Sequence, residues 1–275
     1  MSGRIERKFR ALAERGEAAL IPFVFAGDPT LDHTRRIVLE LESRGADLIE
    51  LGVPFSDPMA DGPANQRAGA RALRAGASVA AVLGLVSDLR KETDIPLVLF
   101  GYYNPILQYG PARFAADAER AGADGCLVVD LPPEEAAELR GPIREHGLDL
   151  IYLLAPTTSL ERARRIARAA SGFLYYVSVT GVTGTRAELD SDLEPRVREI
   201  RTITRLPIGV GFGISTAQQA GQVASFAAAV VVGSAFSLLI EANPQAPERA
   251  VGELAGAMKA AVRASASASV RAVSS

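Results

Sequence analysis

A closed barrel of eight parallel strand and helix units, a (β/α)8 fold, is what this sequence predicts, and three observations carry the prediction. Short runs rich in Val, Ile and Leu recur eight times along the 275 residues. The runs are apolar on both faces, as strands of a parallel sheet covered by helices must be. Amphipathic stretches long enough for helices separate them, and eight such units in about 250 residues suit closure into one domain. A doubly wound open sheet is the alternative arrangement.

Taken in order, residues 4–15 read as an extra helix ahead of the first strand. The first run, Leu20–Ala26, leads to Pro29 and Thr30, a helix-start signal before LDHTRRIVLELESRG. Asp47–Leu51, Ile95–Phe100, Gly125–Asp130, Leu148–Leu154, Phe173–Ser178, Leu206–Gly211 and Ala227–Gly233 are the remaining runs. A weak internal repeat, SRGADLIEL, RAGADGCLVV and REHGLDLIYL, enters a strand two residues after Gly45, Gly122 or Gly147, and these glycines read as helix C-caps. Ser215 reads as the start of the helix TAQQAGQVA. The last helix is expected from about Pro247 to Arg263, so residues 1–263 form a single barrel domain and the Ala/Ser-rich residues 264–275 a disordered tail.

Composition excludes several function classes. A net charge of −2, 6% aromatic residues and no Trp provide neither a basic field nor stacking platforms for nucleic acid. One cysteine, Cys126, forbids an internal disulfide, and the charged opening MSGRIERKFR lacks the apolar core of a secretory signal, so the cytoplasm is expected. The longest apolar stretch, Ser225 to Ile240, is broken by Gly and Ser and falls short of the ~20 residues that cross a bilayer. No membrane span is expected.

Chemistry in parallel barrels sits at the C-terminal ends of the strands. Glu50 lies inside the second run; alternation puts Leu48 and Glu50 on one face and Ile49 and Leu51 on the other. If Glu50 faces the barrel interior it loses hydration, and its pKa rises toward the working range of a proton-transfer catalyst. A buried Glu paired with Arg is the competing reading, but no Arg stands near the end of any other strand. Asp57 and Asp61 follow in a loop stiffened by Pro54, Pro58 and Pro63. A carboxylate there can face Glu50 across a substrate, or it can simply form turns.

GVGFGIS closes the seventh strand and VVGSAFSLLIE the eighth. Backbone N–H groups at Gly213, Gly233 and Ser234, with a helix N-terminus, make an anion cradle where barrels hold phosphate. After the sixth strand, SVTGVTGTRAELDSDLEP is a long connection with Gly181 and Gly184 as hinges and Thr180, Thr183 and Thr185 as polar tips, either a lid or disorder. The two histidines, His33 and His146, are expected on the face away from the barrel mouth, which leaves nothing to build a metal cage or a Ser–His pair. None of the three lysines, Lys8, Lys91 and Lys259, ends a strand, which speaks against a Schiff base. Carboxylate acid–base chemistry on a phosphorylated small molecule remains. If it breaks a carbon–carbon bond, the substrate must carry its own electron sink.

PFVFAGDP, IELGVPFSDPMADGP, GYYNPILQYG, DLPPEE, YYVSVTGVTG, GFGIS and VVGSA, in this order, resemble the tryptophan synthase alpha subunit family over nearly the whole chain. That resemblance implies a (β/α)8 lyase that splits indole-3-glycerol phosphate into indole and glyceraldehyde 3-phosphate. It implies no cofactor in this chain, with pyridoxal phosphate only in a beta-subunit partner of an alpha2-beta2 complex. By resemblance Glu50 is the general acid/base and Asp61 the carboxylate that bonds the indole N–H. Phe23 and Tyr102 are pocket walls, and Tyr175 is the tyrosine beside Glu50. Gly184, Gly213, Gly233 and Ser234 are phosphate contacts, and Thr183 is the lid residue that meets Asp61. Asp57, Asn104 and Asp130 match partner-facing positions. Val179 stands where enteric-type members carry Arg, and the tail lies outside the pattern. A stand-alone lyase and another phosphate-binding isomerase or epimerase are the alternatives.

Overall fold

The computed structural model describes residues 3–177, 191–211 and 213–273, with side chains to residue 265. Eight strands, β1 (Ala19–Phe25), β2 (Ile49–Gly52), β3 (Leu97–Gly101), β4 (Gly125–Val128), β5 (Asp149–Leu154), β6 (Leu174–Val177), β7 (Ile208–Gly211) and β8 (Ala229–Val232), close in chain order into a parallel barrel. Around it run α1 (Arg4–Glu14), α2 (Leu31–Ser43), α3 (Pro63–Arg74), α4 (Val79–Leu89), α5 (Tyr103–Tyr109), α6 (Pro111–Ala121), α7 (Ala137–Glu145), α8 (Leu160–Ala169), α9 (Leu193–Arg201), α10 (Ala217–Ala224), α11 (Ser234–Ala242) and α12 (Pro247–Val273). The open-sheet alternative is excluded by the pairing of β8 with β1, Ala19 opposite Ala229 and Pro22 opposite Val232.

Strand alternation sorts the apolar residues into two cores. Ile21, Phe23, Phe25, Leu48, Val98, Phe100, Leu127, Ile151, Phe173, Tyr175 and Val231 fill the barrel. Their neighbours in sequence, among them Leu20, Val24, Ile49, Leu51, Leu97, Leu99, Leu174 and Val230, face the helices. Burial on both faces is the reason these runs are continuously apolar. Helix α1 closes the N-terminal end: its Ile5, Phe9 and Leu12 join the interior cluster, and the Phe9 and Phe173 rings lie 5.7 Å apart.

Local signals are met with small shifts. Gly45, Gly122 and Gly147 have φ of 97°, 92° and 67°, the left-handed region that spares glycine a steric penalty. At Gly45 a side chain would also meet Lys259. Lys259 is buried and reaches Asp47 at 2.7 Å, while the same carboxylate accepts the Leu20 N–H at 2.9 Å. The Asp47 N–H also reaches Leu20 O at 2.9 Å, and β2 itself begins at Ile49. The Thr30 oxygen caps α2 by accepting the His33 N–H. Helix α10 is capped by Thr216, one residue past Ser215, because Thr216 completes a capping box with Gln219.

The final helix corrects an expectation. It continues to Val273, ten residues beyond Arg263 and through most of the stretch 264–275 read as a disordered tail. The stretch alternates Ser with Ala, the strongest helix former, and contains no Gly or Pro to stop the helix. Among the described residues no single helix is long and apolar enough to cross a membrane.

Candidate active site

Parity decides where Glu50 goes. On β2 it is the inward residue between Leu48 and Gly52, in register with Phe23 of β1 and Val98 of β3. It is 0% exposed, and neither carboxyl oxygen has a hydrogen-bond partner among the described residues. Among the described residues no Arg neutralises it, which counts against the competing reading of a paired buried Glu. Burial alone pushes its pKa from 4.5 to about 8, since nothing replaces the hydration of the ionised form.

Aromatic side chains surround this acid. The Phe23 ring packs edge-on against Phe25 at 5.0 Å and Phe100 at 4.9 Å. Tyr175, inward on β6, is buried, and its phenol pKa is raised by burial and by the Glu50 charge. Gly211 on β7 makes room for it, because a side-chain carbon there would overlap the Tyr175 hydroxyl.

Asp61 sits in the loop after β2 and is only 7% exposed. Its position is held from several sides. Tyr102, which continues the inward parity of Val98 and Phe100, donates its hydroxyl to the carboxylate at 3.0 Å and accepts the Ala60 N–H at 2.9 Å. The Asp61 N–H reaches Pro58 O at 3.1 Å, and the Gln66 amide donates to its carbonyl at 2.9 Å. Burial raises the Asp61 pKa to about 6, and Tyr102 and Asn65 moderate the rise. Turn formation alone does not require a buried carboxylate held in this way.

On the same side of the rim, after β8, which is separated from β2 only by β1, Gly233 precedes the first residue of α11, Ser234. A side chain at Gly233 would crowd Phe23, so this loop lies directly beside the aromatic wall. The Phe236 N–H closes the first turn of α11 on Gly233 O at 2.9 Å, and that turn carries the positive end of the helix dipole. Gly213, with φ of 79°, lies exposed between β7 and α10. Thr183, Gly184 and Val179 lie outside the described residues, as do Thr180, Gly181 and Thr185.

Asp57, Asn104 and Asp130 are exposed at the strand C-terminal end, after β2, β3 and β4 respectively. The Asp130 carboxylate accepts the Tyr103 N–H at 2.8 Å, which caps the start of α5. Exposed apolar side chains share this rim: Met59, 92% exposed, and Leu107. His33 is corrected to the mouth end, since α2 begins where β1 ends; its ring is nonetheless turned to the Thr30 hydroxyl at 2.9 Å. His146 bonds Glu119 at 2.6 Å. Cys126 faces the outer core, and burial with the nearby Asp149 charge pushes its thiol to about 12.

Comparison with known proteins decides the family. Residues 9–266 match the family model described as tryptophan synthase alpha chain. The chain belongs to the tryptophan synthase alpha chain family. The tryptophan synthase alpha chain of Geobacter sp. (strain M21) is 60% identical over 233 residues, 85% of this chain and 87% of that one. That of Geotalea uraniireducens (strain Rf4) is 52% identical over 263 residues, 95% of this chain and 98% of the other. Among solved structures, the tryptophan synthase alpha subunit of Legionella pneumophila str. Paris superposes with a TM-score of 0.88 at 41% identity, covering 95% of this chain and 99% of that one. A tryptophan synthase chain from Mycobacterium tuberculosis gives 0.87 at 35% identity, covering 96% of this chain and 99% of that one. As a tryptophan synthase alpha chain, the protein has a lyase role in tryptophan synthesis.

Sequence reasoning missed Asn65 and the clamping hydroxyl of Tyr102. Asn65 stands on the first turn of α3, where a polar residue reads as solvent-facing. Tyr102 reads as an apolar wall until its hydroxyl partners are seen.

Proposed function

We propose that this chain cleaves indole-3-glycerol phosphate to indole and glyceraldehyde 3-phosphate, with Glu50 as general acid and base and Asp61 as the partner of the indole nitrogen. The observation that carries the reading is an inward Glu50, without a hydrogen-bond partner among the described residues, whose pKa of about 8 keeps it protonated at neutral pH, together with a held Asp61 whose pKa is raised only to about 6. Two acids with separated pKa values are what a reaction needs when one must donate a proton and the other must stay anionic.

The Glu50 carboxyl gives its proton to the ring carbon that bears the glycerol phosphate chain. The ring becomes cationic, and the Asp61 carboxylate holds its N–H. Glu50, now a carboxylate, takes the proton of the neighbouring side-chain hydroxyl as the carbon–carbon bond breaks. The bond electrons return to the ring as indole, and the hydroxyl carbon becomes the aldehyde. Glu50 ends protonated, as it began. Positioned proton transfer of this sort is worth ~10²–10⁴-fold. The indole ring is the electron sink, so no lysine imine is required; Lys91 and Lys259 are paired with Asp88 and Asp47.

Phe23 and Tyr102 supply the ring walls, and Tyr175 fixes the space beside Glu50. Gly213, Gly233 and Ser234 bind the phosphate through backbone N–H groups and the α11 dipole. By the family resemblance Gly184 is a further phosphate contact and Thr183 the residue that meets Asp61. The exposed Met59 and Leu107, beside Asp57, Asn104 and Asp130, form the docking rim for a beta subunit in an alpha2-beta2 complex. Pyridoxal phosphate belongs to that subunit, and the work is cytoplasmic. The test is release of indole from indole-3-glycerol phosphate by the purified chain, alone and with a beta subunit. No indole under either condition would overturn the reading, and a rate indifferent to the beta subunit would leave a stand-alone lyase.

A further inference from the structure

We propose that Glu241 and Arg71 are positioning residues for the anion cradle, a charge clamp that fixes α11 lengthwise against α3 and so sets where the N–H groups of Gly233 and Ser234 stand. The inference rests on the phosphate role proposed above and adds to it residues that touch no ligand.

A helix that binds an anion at its N-terminus must keep its lengthwise position, because a hydrogen bond tolerates only a narrow range of lengths. Apolar packing does not supply that by itself. Phe236 and Ile240 press α11 onto the outer core, but burial is non-directional. The bonds from α3 are directional. Ser237 and Glu241, four residues apart, share one face of α11. The buried Ser237 hydroxyl donates to Asn65 Oδ1 at 2.9 Å. One turn on, the Glu241 carboxylate accepts from Arg67 Nε and Nη2 at 2.8 Å each and from Arg71 Nη1 at 3.0 Å. Two attachment points a turn apart fix both slide and rotation.

Arg71 is anchored in its turn. Its Nε and Nη2 make a bidentate pair with the buried Asp28, 2.8 Å on each arm. Asp28 lies in the connection after β1, α3 follows β2 and α11 follows β8, and these three strands are neighbours in the barrel. The clamp therefore spans three adjacent connections of the rim, with Asn65 at its mouth-side end. The helix itself gives no reason for Glu241. That acid stands in the last turn of α11, at the negative end of the dipole, and no basic residue of the turn offsets it. The offsetting cations come from α3. Arg67 and Arg71 are thereby turned to Glu241 and Asp28 rather than to the cradle, so they act on phosphate through α11.

The experiment measures the Kd of glycerol 3-phosphate and of indole by calorimetry, and KM and kcat for indole-3-glycerol phosphate, in the full chain and in E241Q, R67Q, R71K and R67Q/E241Q. Thermal melts report folding. E241Q keeps the shape and removes the charge. It should raise the Kd of glycerol 3-phosphate and the KM together by about tenfold, the worth of one hydrogen bond to a charged group, with kcat and the indole Kd little changed. R71K keeps a charge beside Asp28 but loses the planar fork that reaches both carboxylates, and it should move in the same direction. R67Q/E241Q should be no worse than E241Q, because Arg67 acts through Glu241. If R71K fails to fold, E241Q and R67Q carry the test. Glycerol 3-phosphate binding unmoved in every folded variant, or indole binding weakened equally, overturns the inference alone. Tighter glycerol 3-phosphate binding by E241Q overturns it as well, since the released arginines would then be the ligands. A wild-type chain that shows these shifts but releases no indole overturns the proposed reaction and leaves the clamp. A wild-type chain that does not bind glycerol 3-phosphate overturns the cradle and the clamp with it.

Discussion

Replacing Glu50 with Gln should make the protein more stable while abolishing its chemistry. The folded chain holds the Glu50 proton up to about 8, whereas the unfolded side chain ionises near 4.5. A raised carboxyl pKa means that the native state binds more protons than the unfolded state in that window, so stability falls as pH rises through it. At ~1.4 kcal/mol per pH unit, the loss accumulated between 4.5 and pH 7 is about 3 kcal/mol. Gln has the same shape and never ionises. E50Q should therefore match wild type near pH 4.5 and exceed it by about 3 kcal/mol at pH 7, which is on the order of 5–10 °C in melting temperature for a chain of this size. Far-UV circular dichroism melts at about pH 5 and pH 7.5 measure the difference. Indole release in the same preparations should drop by ~10²–10⁴-fold. A stability advantage that does not grow with pH, or normal turnover, would refute the account of a desolvated proton carrier.

Other outcomes follow from the same geometry. The profile of kcat/KM should be bell-shaped, with an acid limb near 6 from Asp61, which must be ionised, and an alkaline limb near 8 from Glu50, which must start protonated; a flat response from about pH 5 to pH 9 would contradict it. Tyr102→Phe removes the donor to Asp61 and strands the Ala60 N–H, so a destabilisation of about 1–3 kcal/mol and an acid limb moved upward are expected. Unchanged kinetics in that variant would reduce Tyr102 to a wall. Gly211→Ala forces the Tyr175 ring from its place. It should destabilise by about 1–3 kcal/mol and lower kcat, and a crystal structure of the variant with Tyr175 unmoved would count against the packing argument.

The barrel was legible because its strands are buried on both sides, which leaves uninterrupted Val, Ile and Leu in the sequence, and because an acid inside such a run has few explanations. Parity puts Glu50 on one face with Leu48, and the register with Phe23 and Val98 makes that face the interior. The termini of elements were less legible. Asp47 looks like the start of a strand, yet β2 begins at Ile49, and the Asp47 carboxylate instead ties Leu20 to Lys259, partners from distant parts of the chain that no local pattern shows. Ser215 and Thr216 are equally good caps until Gln219 selects one. Residues 264–275 read as featureless in composition, although alternating Ala carries a helix to Val273. Asn65 was hidden for a more general reason. Its meaning depends on Ser237, which lies 172 residues away, and no local pattern encodes a partner at that distance.

Helix α1 stoppers the barrel at the N-terminal ends of the strands. Phe9 packs against Phe173, and Ile5 and Leu12 sit among the interior side chains, so that end is filled with hydrocarbon. The polar groups of the proposed site lie toward the opposite rim, and a plug of this kind lets the loops there vary without opening the core to water.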